Sequence, residues 1–279
     1  MFSILVANYN NGKYFRDCYD SIINQTYQDF EVIIVDDAST DNSVEIIKNI
    51  IGNDERFKIF QNDKNYGCGY TKRRCAELAN GEIFGFLDPD DTLRNDALEI
   101  MVNAHEENES IGLIYSNILV CDESLNEIRI HKTKQVVGFN DDYYNFKGEI
   151  SHFAAFKIKV YNLTSGIDPY FKRAFDKDLY MKLCEVAPVK HIDEELYKYR
   201  IHNGGISTST NSTKAYFWHW VALIKMAERR NLNLEDLFLE KFITRQQLEY
   251  ELDRNNSIKE ILKTILKKVG RRLRIIKFK

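Results

Sequence analysis

Residues 83–91 read IFGFLDPDD, an apolar run followed by three carboxylates within four positions. The run has the length of a buried strand, and a proline stiffens the turn that follows it. Placing Asp88, Asp90 and Asp91 so close together costs free energy through like-charge repulsion, unless a cation or hydrogen bonds compensate. Mg²⁺ or Mn²⁺ would compensate naturally, because these ions take oxygen ligands and bridge carboxylates to phosphates. The stretch therefore predicts a metal–phosphate site, with capping of the next helix by Asp91 or Thr92 as the alternative.

Strands and helices alternate along the first half of the chain. Short apolar runs predict strands over residues 2–7, 30–35, 57–60, 83–87 and 111–120. Helical spacing predicts helices over residues 14–24, 39–51, 71–79 and 95–106. Ser39 or Thr40 is positioned to cap the second of these helices. The alternation indicates βαβ units, and so an α/β fold with a mainly parallel sheet whose ligands bind beyond the carboxyl ends of the strands.

The second half of the chain is less regular. The pattern predicts a helix over residues 173–185, strands over 189–192 and 196–201, and helical structure from 213 onward. We therefore divide the chain into a sheet domain, residues 1–210, and a C-terminal helical region, residues 211–279.

Composition narrows the class of protein. The five cysteines are scattered and form no CxxC pair, which argues against a disulfide framework or a structural zinc site. No apolar run reaches the roughly 18–20 residues that a bilayer span requires. Met1 and Phe2 lead directly into a strand-like run with no basic stretch before it, so we expect no signal peptide and a cytoplasmic protein.

Charge is unevenly distributed along the chain. Residues 256–279 hold nine Lys or Arg and one Glu, so this basic tail carries +8 while the remainder carries −11, giving −3 in total. Its apolar side chains recur at helical spacing, at Ile258, Ile261, Leu262, Ile265, Leu266, Val269, Leu273 and Ile276. The pattern favours a helix that lies on an anionic membrane surface, here the inner face of the cell membrane. A helix packed on the body and a nucleic-acid contact are alternatives, but no other motif supports nucleic acid.

Several motifs in order carry a family resemblance. Residues 6–43, VANYNNGKYFRDCYDSIINQTYQDFEVIIVDDASTDNS, resemble the opening of bacterial family 2 glycosyltransferases of the GT-A fold. Residues 65–91, with NYG, NGE and LDPDD in sequence, resemble the same family. The similarity is strong over about the first 120 residues and continues with gaps to residue 207. It implies a nucleotide-binding half, 1–120, and an acceptor-binding half, 121–210.

The resemblance implies an inverting transfer of a sugar from a nucleotide-sugar, a UDP-sugar, to a saccharide or lipid-linked saccharide. Ala7 and Tyr9 would line the uracil pocket, where the tyrosine offers an aromatic face. Asp37 would accept a hydrogen bond from uracil N3–H. Asp88 would contact the ribose and belong to the coordination shell of the metal, and Asp90 would ligate Mn²⁺ or Mg²⁺ directly. Plain packing of Tyr9 and capping of the next helix by Asp37 stay open as alternatives.

Two further residues are assigned to the donor by the resemblance. The family has an Arg-Asn pair where this chain has Lys72 and Arg73. Lys72 keeps the positive charge without the forked guanidinium, and we expect it to reach the diphosphate. His202, in a segment similar to the family's Tyr-Arg-x-His, would approach the metal or the diphosphate.

The acceptor hydroxyl needs a base when it attacks the anomeric carbon. The family supplies a Glu-Asp pair before a Leu-rich helix, and the matching residues here are Phe175 and Asp176. We predict Asp176 as the base, with Asp178 as the second choice and a favourable helix-dipole position as the alternative role. The apolar stretch that begins at His152 corresponds to the segment from which the family builds the floor of its acceptor site.

Two other functions compete with sugar transfer. A sugar-phosphate nucleotidyltransferase would carry a glycine-rich basic loop after the first strand, whereas residues 8–12 hold one glycine and no arginine. A catalytically inactive nucleotide-sugar-binding protein on the same fold is the second alternative, and the departures at Lys72 and Phe175 are what support it.

Overall fold

A computed structural model describes residues 1–136, 149–206, 211–236 and 239. Within them, nine strands form one sheet: β1 (Phe2–Asn8), β2 (Phe30–Asp36), β3 (Phe57–Gln61), β4 (Ile83–Phe86), β5 (Thr92–Leu93), β6 (Leu113–Cys121), β7 (Glu127–His131), β8 (Ala154–Lys157) and β9 (Val189–Arg200). The helices of the same residues are α1 (Phe15–Ile23), α2 (Ser43–Ile51), α3 (Cys68–Leu78), α4 (Ala97–Glu106), α5 (Ile158–Tyr161), α6 (Phe175–Cys184) and α7 (Ser212–Arg230).

The sheet has the order β3-β2-β1-β4-β8-β6-β9-β5, with β7 paired to β6. Strands β3, β2, β1 and β4 are mutually parallel, as the βαβ pattern predicts. Beyond β4 the sheet is mixed, because β8 runs antiparallel to both β4 and β6, while β6 and β9 are parallel. The α/β class is thus confirmed, but the sheet is mixed, because β8 interrupts the run of parallel strands. A fully buried antiparallel strand has the same continuous apolar pattern as a parallel one, so the sequence could not reveal this reversal.

The central strands are covered on both faces. Every residue of β2 is buried, and so is every residue of β1 except the partly exposed Ala7. Phe2, Ile4 and Val6 pack in one core with side chains of α1 and α2, while α3 packs against β1 and β2. This burial explains why both strands read as mainly apolar runs. Their parallel pairing places their carboxyl ends at one edge of the sheet.

Two local predictions are wrong. Helix α2 begins at Ser43, and Ser39 instead donates its hydroxyl to Asp36 Oδ1 at 2.5 Å. The short side chain is therefore used inside the turn after β2, so neither Ser39 nor Thr40 caps the helix. The strands predicted over 189–192 and 196–201 form one strand, β9, because an irregularity in register near Asn117 and Glu195 keeps the ladder with β6 continuous.

Contacts between Cα atoms divide the chain into two units, Met1–Met226 and Ala227–Lys279. The first unit contains the whole sheet and the beginning of α7, and the division at residue 210 stays a prediction. Across the described parts of the chain, no helix is both long and apolar enough to cross a bilayer. The basic tail, 256–279, lies outside the described residues, so its binding to an anionic membrane surface also stays a prediction.

A buried carboxylate joins three strands of the parallel half. Glu31 of β2 is 4% exposed and accepts hydrogen bonds from Ser3 Oγ of β1 at 2.8 Å and from the Asn80 backbone N–H at 2.5 Å. Lys58 Nζ of β3 reaches its other oxygen at 2.8 Å. Burial by itself raises the pKa of Glu31, but the bonds from Lys58, Asn80 and Ser3 outweigh burial and lower the pKa to about 2.

We predict that Glu31→Gln destabilises the protein by about 2–3 kcal/mol near pH 7, the scale of the pKa difference between folded and unfolded states. Because the pKa of Glu31 is lowered on folding, its contribution is fully present above the unfolded-state value of about 4.3. It is lost as pH falls toward 2. The measurement is urea unfolding of wild type and variant between pH 3 and 8, with the exposed Glu45→Gln of α2 as control. If the free energies of unfolding of wild type and Glu31→Gln differed by the same amount at pH 3 and pH 7, the stabilising role of the Glu31 carboxylate would be contradicted.

Candidate active site

The turns after β1 and β2 are tied to each other by side chains. Asn8 Nδ2 donates to Asp36 Oδ1 at 2.7 Å, and the backbone N–H of Asn10 donates to Ser39 Oγ at 2.9 Å. Asn10 and Ala38 both adopt positive φ, at 54° and 57°. These bonds hold the two turns in one arrangement at the carboxyl edge of the sheet. Asp36 thereby has a structural role, which leaves Asp37 as the donor-binding candidate of the pair.

Asp37 is 3% exposed and receives three hydrogen bonds. Asn62 Nδ2 donates to Oδ1 at 2.6 Å, the Tyr66 N–H to Oδ1 at 2.9 Å and the Gly67 N–H to Oδ2 at 2.7 Å. Gly67, at φ 94°, precedes α3, so the carboxylate orders the approach to α3. It does not cap α2, which begins at Ser43.

The predicted base-stacking surface is accessible. Tyr9 follows β1 and is 44% exposed, and Ala7 is the partly exposed residue of that strand. An exposed aromatic ring at the ligand-binding edge of an α/β sheet is suited to stack on a planar base. Contact of Ala7 and Tyr9 with uracil stays a prediction.

The three aspartates of the acidic turn have different surroundings. Asp91 is 1% exposed and accepts the Tyr197 hydroxyl at 2.7 Å and the Arg200 backbone N–H at 2.7 Å. Burial, together with Asp90 and Asp88, raises the pKa of Asp91 well above its ordinary value. Asp91 is therefore enclosed by β9 and serves the architecture of the turn. The alternative that Asp91 caps the next helix is wrong, because α4 starts only at Ala97.

Asp88 forms an ion pair with Lys72, whose side chain projects from α3. Lys72 is 2% exposed and its ammonium lies over the rings of Phe86, at 4.9 Å, and Phe175, at 5.4 Å. Burial favours a lower pKa for Lys72, but the charge of Asp88 outweighs burial and raises the pKa to about 12. The lysine is therefore a permanent cation beside the acidic turn, where a diphosphate would bring negative charge.

Asp90 lies beside His202, with 2.8 Å between Oδ2 and Nε2. The Gly204 N–H donates to Nδ1 of His202 at 3.1 Å, so Nδ1 is an acceptor and Nε2 carries the ring proton toward Asp90. The imidazole also packs on the ring of Tyr14, with 4.6 Å between centroids. The structure thus places His202 at the acidic turn, and its approach to a metal or a diphosphate stays a prediction.

Arg200 is a residue of this site that the sequence did not identify. It is 4% exposed, and its guanidinium donates to Asp90 O, Glu123 O and Asp17 Oδ2, each at 2.6 Å. The side chain therefore joins the acidic turn to α1 and to the turn after β6. The sequence held one signal, because Arg200 lies two positions before His202. The partners of Arg200, however, are separated from it by up to 183 positions in the chain.

The residues fit a divalent ion in part. Asp90 offers an oxygen donor, and Nε2 of His202 would offer a nitrogen donor on losing the proton that it directs toward Asp90. Mg²⁺ commonly needs only one or two carboxylates when substrate phosphates complete its shell. Asp88, the other predicted ligand, is engaged by Lys72. Among the described residues, no three His, Cys, Asp or Glu side chains are grouped so as to hold an ion by themselves. Metal ligation by Asp88, Asp90 and His202 stays a prediction.

The candidate base lines a cavity of about 300 Å³. Asp176 lies in the first turn of α6, and its Oδ2 is 3.8 Å from Nε2 of His152. Asp178 is 1% exposed and pairs with Lys182 Nζ at 2.6 Å, so it is enclosed within the protein. Of the two carboxylates considered, Asp176 is the one that can meet an acceptor.

The acidic turn and the cavity are joined by a single tyrosine. The Tyr197 hydroxyl donates to Asp91 and also accepts the Asp88 backbone N–H at 3.2 Å. The ring of Tyr197 stacks on His152 with 5.3 Å between centroids, and His152 faces Asp176. The acidic turn and the predicted base are therefore linked through the buried Tyr197 and through His152.

The rest of the cavity lining is largely basic. Its charged and titratable members are Arg129, His131, His152, Asp176, Lys177, Tyr199 and His219. No sequence motif surrounds His131 or His219, and none points to Arg129 or Lys177 as site residues. One signal was present, because Arg129 and His131 are two residues apart and so share a face of a strand.

Comparison with known proteins agrees with this geometry. A chondroitin synthase of Escherichia coli is 33% identical over 210 residues, which cover 74% of this chain and 29% of that relative. The chain thus spans less than a third of the length of that synthase. TarS 1–349 of S. aureus in complex with UDP-GlcNAc matches with a TM-score of 0.61 and 21% identity, over 91% of this chain and 74% of that one.

The mannosyltransferase PcManGT of Pyrobaculum calidifontis, in complex with GDP-Man and Mn²⁺, matches with a TM-score of 0.61 and 18% identity, over 80% of this chain and 64% of that one. These structural similarities establish the GT-A fold. Residues 3–164, more than half of the chain, match the family described as Glycosyl transferase family 2. Sequence and fold therefore agree that this chain belongs to glycosyl transferase family 2, a family of transferase enzymes.

Proposed function

We propose that this protein transfers a sugar from a UDP-sugar to a hydroxyl of a saccharide or lipid-linked saccharide, with inversion at the anomeric carbon. The observation that carries the proposal is the continuity of the site through Tyr197. Its hydroxyl binds the carboxylate of Asp91 at 2.7 Å, and its ring stacks on His152, which lies 3.8 Å from Asp176. A donor held at the acidic turn and an acceptor held in the cavity would therefore meet.

The nucleotide would lie along the edge formed by β1 and β2. Tyr9 is exposed there for stacking, and TarS is a structural neighbour whose complex contains UDP-GlcNAc. Oδ2 of Asp37 accepts one hydrogen bond from the described residues, that of Gly67 N–H. A carboxylate oxygen has a second lone pair, which would accept uracil N3–H. This supports the assignment of Asp37 while the same side chain orders the approach to α3.

The chemical step would be a single displacement. Asp176 takes the proton of the acceptor hydroxyl as that oxygen forms a bond to the anomeric carbon. The bond from the anomeric carbon to the diphosphate breaks, and the diphosphate leaves with the electron pair. Because attack and departure occur on opposite faces of the carbon, one displacement inverts its configuration. Lys72 adds a buried positive charge beside the departing group.

The diphosphate carries charge that must be neutralised as it departs. Asp90 and His202 are the residues that would hold Mg²⁺ or Mn²⁺, and the ion when bound would supply that neutralisation. The PcManGT complex, which contains Mn²⁺, supports this choice of ion.

An inactive nucleotide-sugar-binding protein is the second candidate. It is favoured by Phe175, which stands where the family has a carboxylate and packs edge-on against Phe86 at 5.4 Å. Release of UDP from a UDP-sugar separates the two candidates, because only an enzyme turns the donor over. A panel of UDP-, GDP- and dTDP-sugars with Mn²⁺ tests the donor class at the same time.

We predict that Asp176→Asn lowers the rate of UDP release by on the order of 10²-fold or more, as loss of a general base typically does. The affinity for UDP, measured by calorimetry, should stay within about twofold, because Asp176 is assigned to the acceptor. Asp178→Asn is the matched control on α6, and it should lower the unfolding temperature by weakening the pair with Lys182 while the folded protein keeps its turnover. If Asp176→Asn weakened UDP binding as much as turnover, the residue would belong to the donor site.

We predict that a divalent ion is required for turnover. EDTA should abolish UDP release, and added Mn²⁺ or Mg²⁺ should restore it. Asp90→Ala should lose most activity and bind Mn²⁺ at least about tenfold more weakly, a loss of about 1.4 kcal/mol. Electron paramagnetic resonance of free Mn²⁺ gives that affinity independently of turnover, and the exposed Glu55→Ala serves as control. Full activity in EDTA would show that the departing diphosphate is stabilised by the protein alone.

A further inference from the structure

We infer that the acceptor is an anionic saccharide, one that carries a carboxylate or a phosphate, and that Arg129 and Lys177 are its charged contacts in the cavity beside Asp176. The inference rests on the proposed function and names the acceptor class for that site. It follows from the side chains that three separate elements, β7, α6 and α7, present to one cavity.

Strand β7 has its polarity reversed relative to an ordinary half-buried strand. Arg129 and His131 line the cavity, whereas Ile128 and Ile130 on the other face are 57% and 47% exposed. An antiparallel strand with one solvated face normally places apolar residues inward and polar residues outward. The register confirms the orientation, since Arg129 pairs with Val120 of β6, which lines the same cavity. Every residue of β7 is at least partly exposed, so Arg129 reaches the cavity from an open strand and its guanidinium is accessible to a ligand there.

Lys177 contributes a cation from the opposite side. It follows Asp176 on α6 and is only 6% exposed, although it lines the cavity. Burial lowers the pKa of Lys177 to about 8, against the opposing influence of Glu149 and Asp176, so the side chain is still mostly charged at pH 7. Keeping a charge in so little contact with water costs free energy, which a nearby anion offsets.

The balance of charge changes during the reaction. Asp176 is the one carboxylate among the described residues that line the cavity, and Arg129 and Lys177 are its two full cations. When Asp176 takes the acceptor proton it becomes neutral, so the lining of the cavity loses one negative charge. A carboxylate or phosphate on the acceptor would supply a negative charge throughout, in charge-assisted hydrogen bonds.

A hydrogen-bonding atom in the cavity also lacks a partner. Nδ1 of His152 is buried and, in the described part of the chain, makes no hydrogen bond, while Nε2 of the same ring faces Asp176. Buried polar atoms are almost always paired, so an unpaired one beside the base indicates a site that a ligand completes. A sugar hydroxyl next to the reacting one is a suitable partner.

The test is equilibrium binding of three disaccharides to the full chain with UDP present. The probes differ only in the terminal residue, which is glucuronate, glucose 6-phosphate or glucose. We expect at least one anionic probe to bind about tenfold or more tightly than the neutral one, as a charge-assisted contact worth about 1.4 kcal/mol gives. The tighter of the two anionic probes identifies whether the charge is a carboxylate or a phosphate.

Arg129→Gln should abolish the preference for the anionic probe. Lys132→Gln, which removes the same charge from an exposed residue that does not line the cavity, should preserve it. Equal binding of all three probes to the wild-type chain would overturn the inference. So would an equal preference for the anionic probe in Arg129→Gln and Lys132→Gln. UDP release into water needs no saccharide, so its absence with every donor would defeat the proposed function, whereas its presence without an anionic preference would defeat this inference alone.

Discussion

The buried carboxylate of Asp91 is the constraint on which the site depends. It is 1% exposed, and its two oxygens are bound by Tyr197 and by the backbone of Arg200, both on β9. An unpaired carboxylate at this depth would be prohibitively costly, so the acidic turn and β9 can be buried only together. The short strand β5, which follows the turn at once, adds a ladder to β9. Residues more than a hundred positions apart are thereby held as one unit.

This arrangement separates three neighbouring carboxylates into three roles. Asp91 is enclosed by β9, Asp88 is neutralised by Lys72, and Asp90 faces His202. Burial would raise the pKa of Asp88, but Lys72 and His152 hold it below its usual range. Lys72 compensates the charge of Asp88, whereas burial and the neighbouring carboxylates still raise the pKa of Asp91. Membership in family 2 excludes the nucleotidyltransferase alternative for such a turn.

The parallel half of the fold could be predicted from sequence because its signals are local. Mainly apolar runs predicted β1 and β2, and the polar residues after them marked the edge at which the candidate site lies. The basic residues that line the cavity beside Asp176 could not be predicted in this way. Arg129 is next to Asp176 only through tertiary packing, and the alternation of β7 alone does not say which of its faces is inward. The role of Arg200 could not be predicted for the same reason, since its three partners lie in distant segments of the chain.

Two of the departures from the family pattern, Lys72 and Phe175, contact each other. Lys72 stands in place of an arginine and Phe175 in place of a glutamate, and the ammonium lies 5.4 Å from the phenylalanine ring. A lysine lacks the fork that would bind two carboxylates at once, and it needs only Asp88 as an anionic partner. An aromatic face then covers the cation by a favourable electrostatic contact without adding a second negative charge. The changes are therefore consistent as a pair, and together they leave Asp176 exposed to the cavity. Departures that compensate each other in packing are weak support for an inactive protein, because the residues assigned to proton transfer and to the metal are both retained.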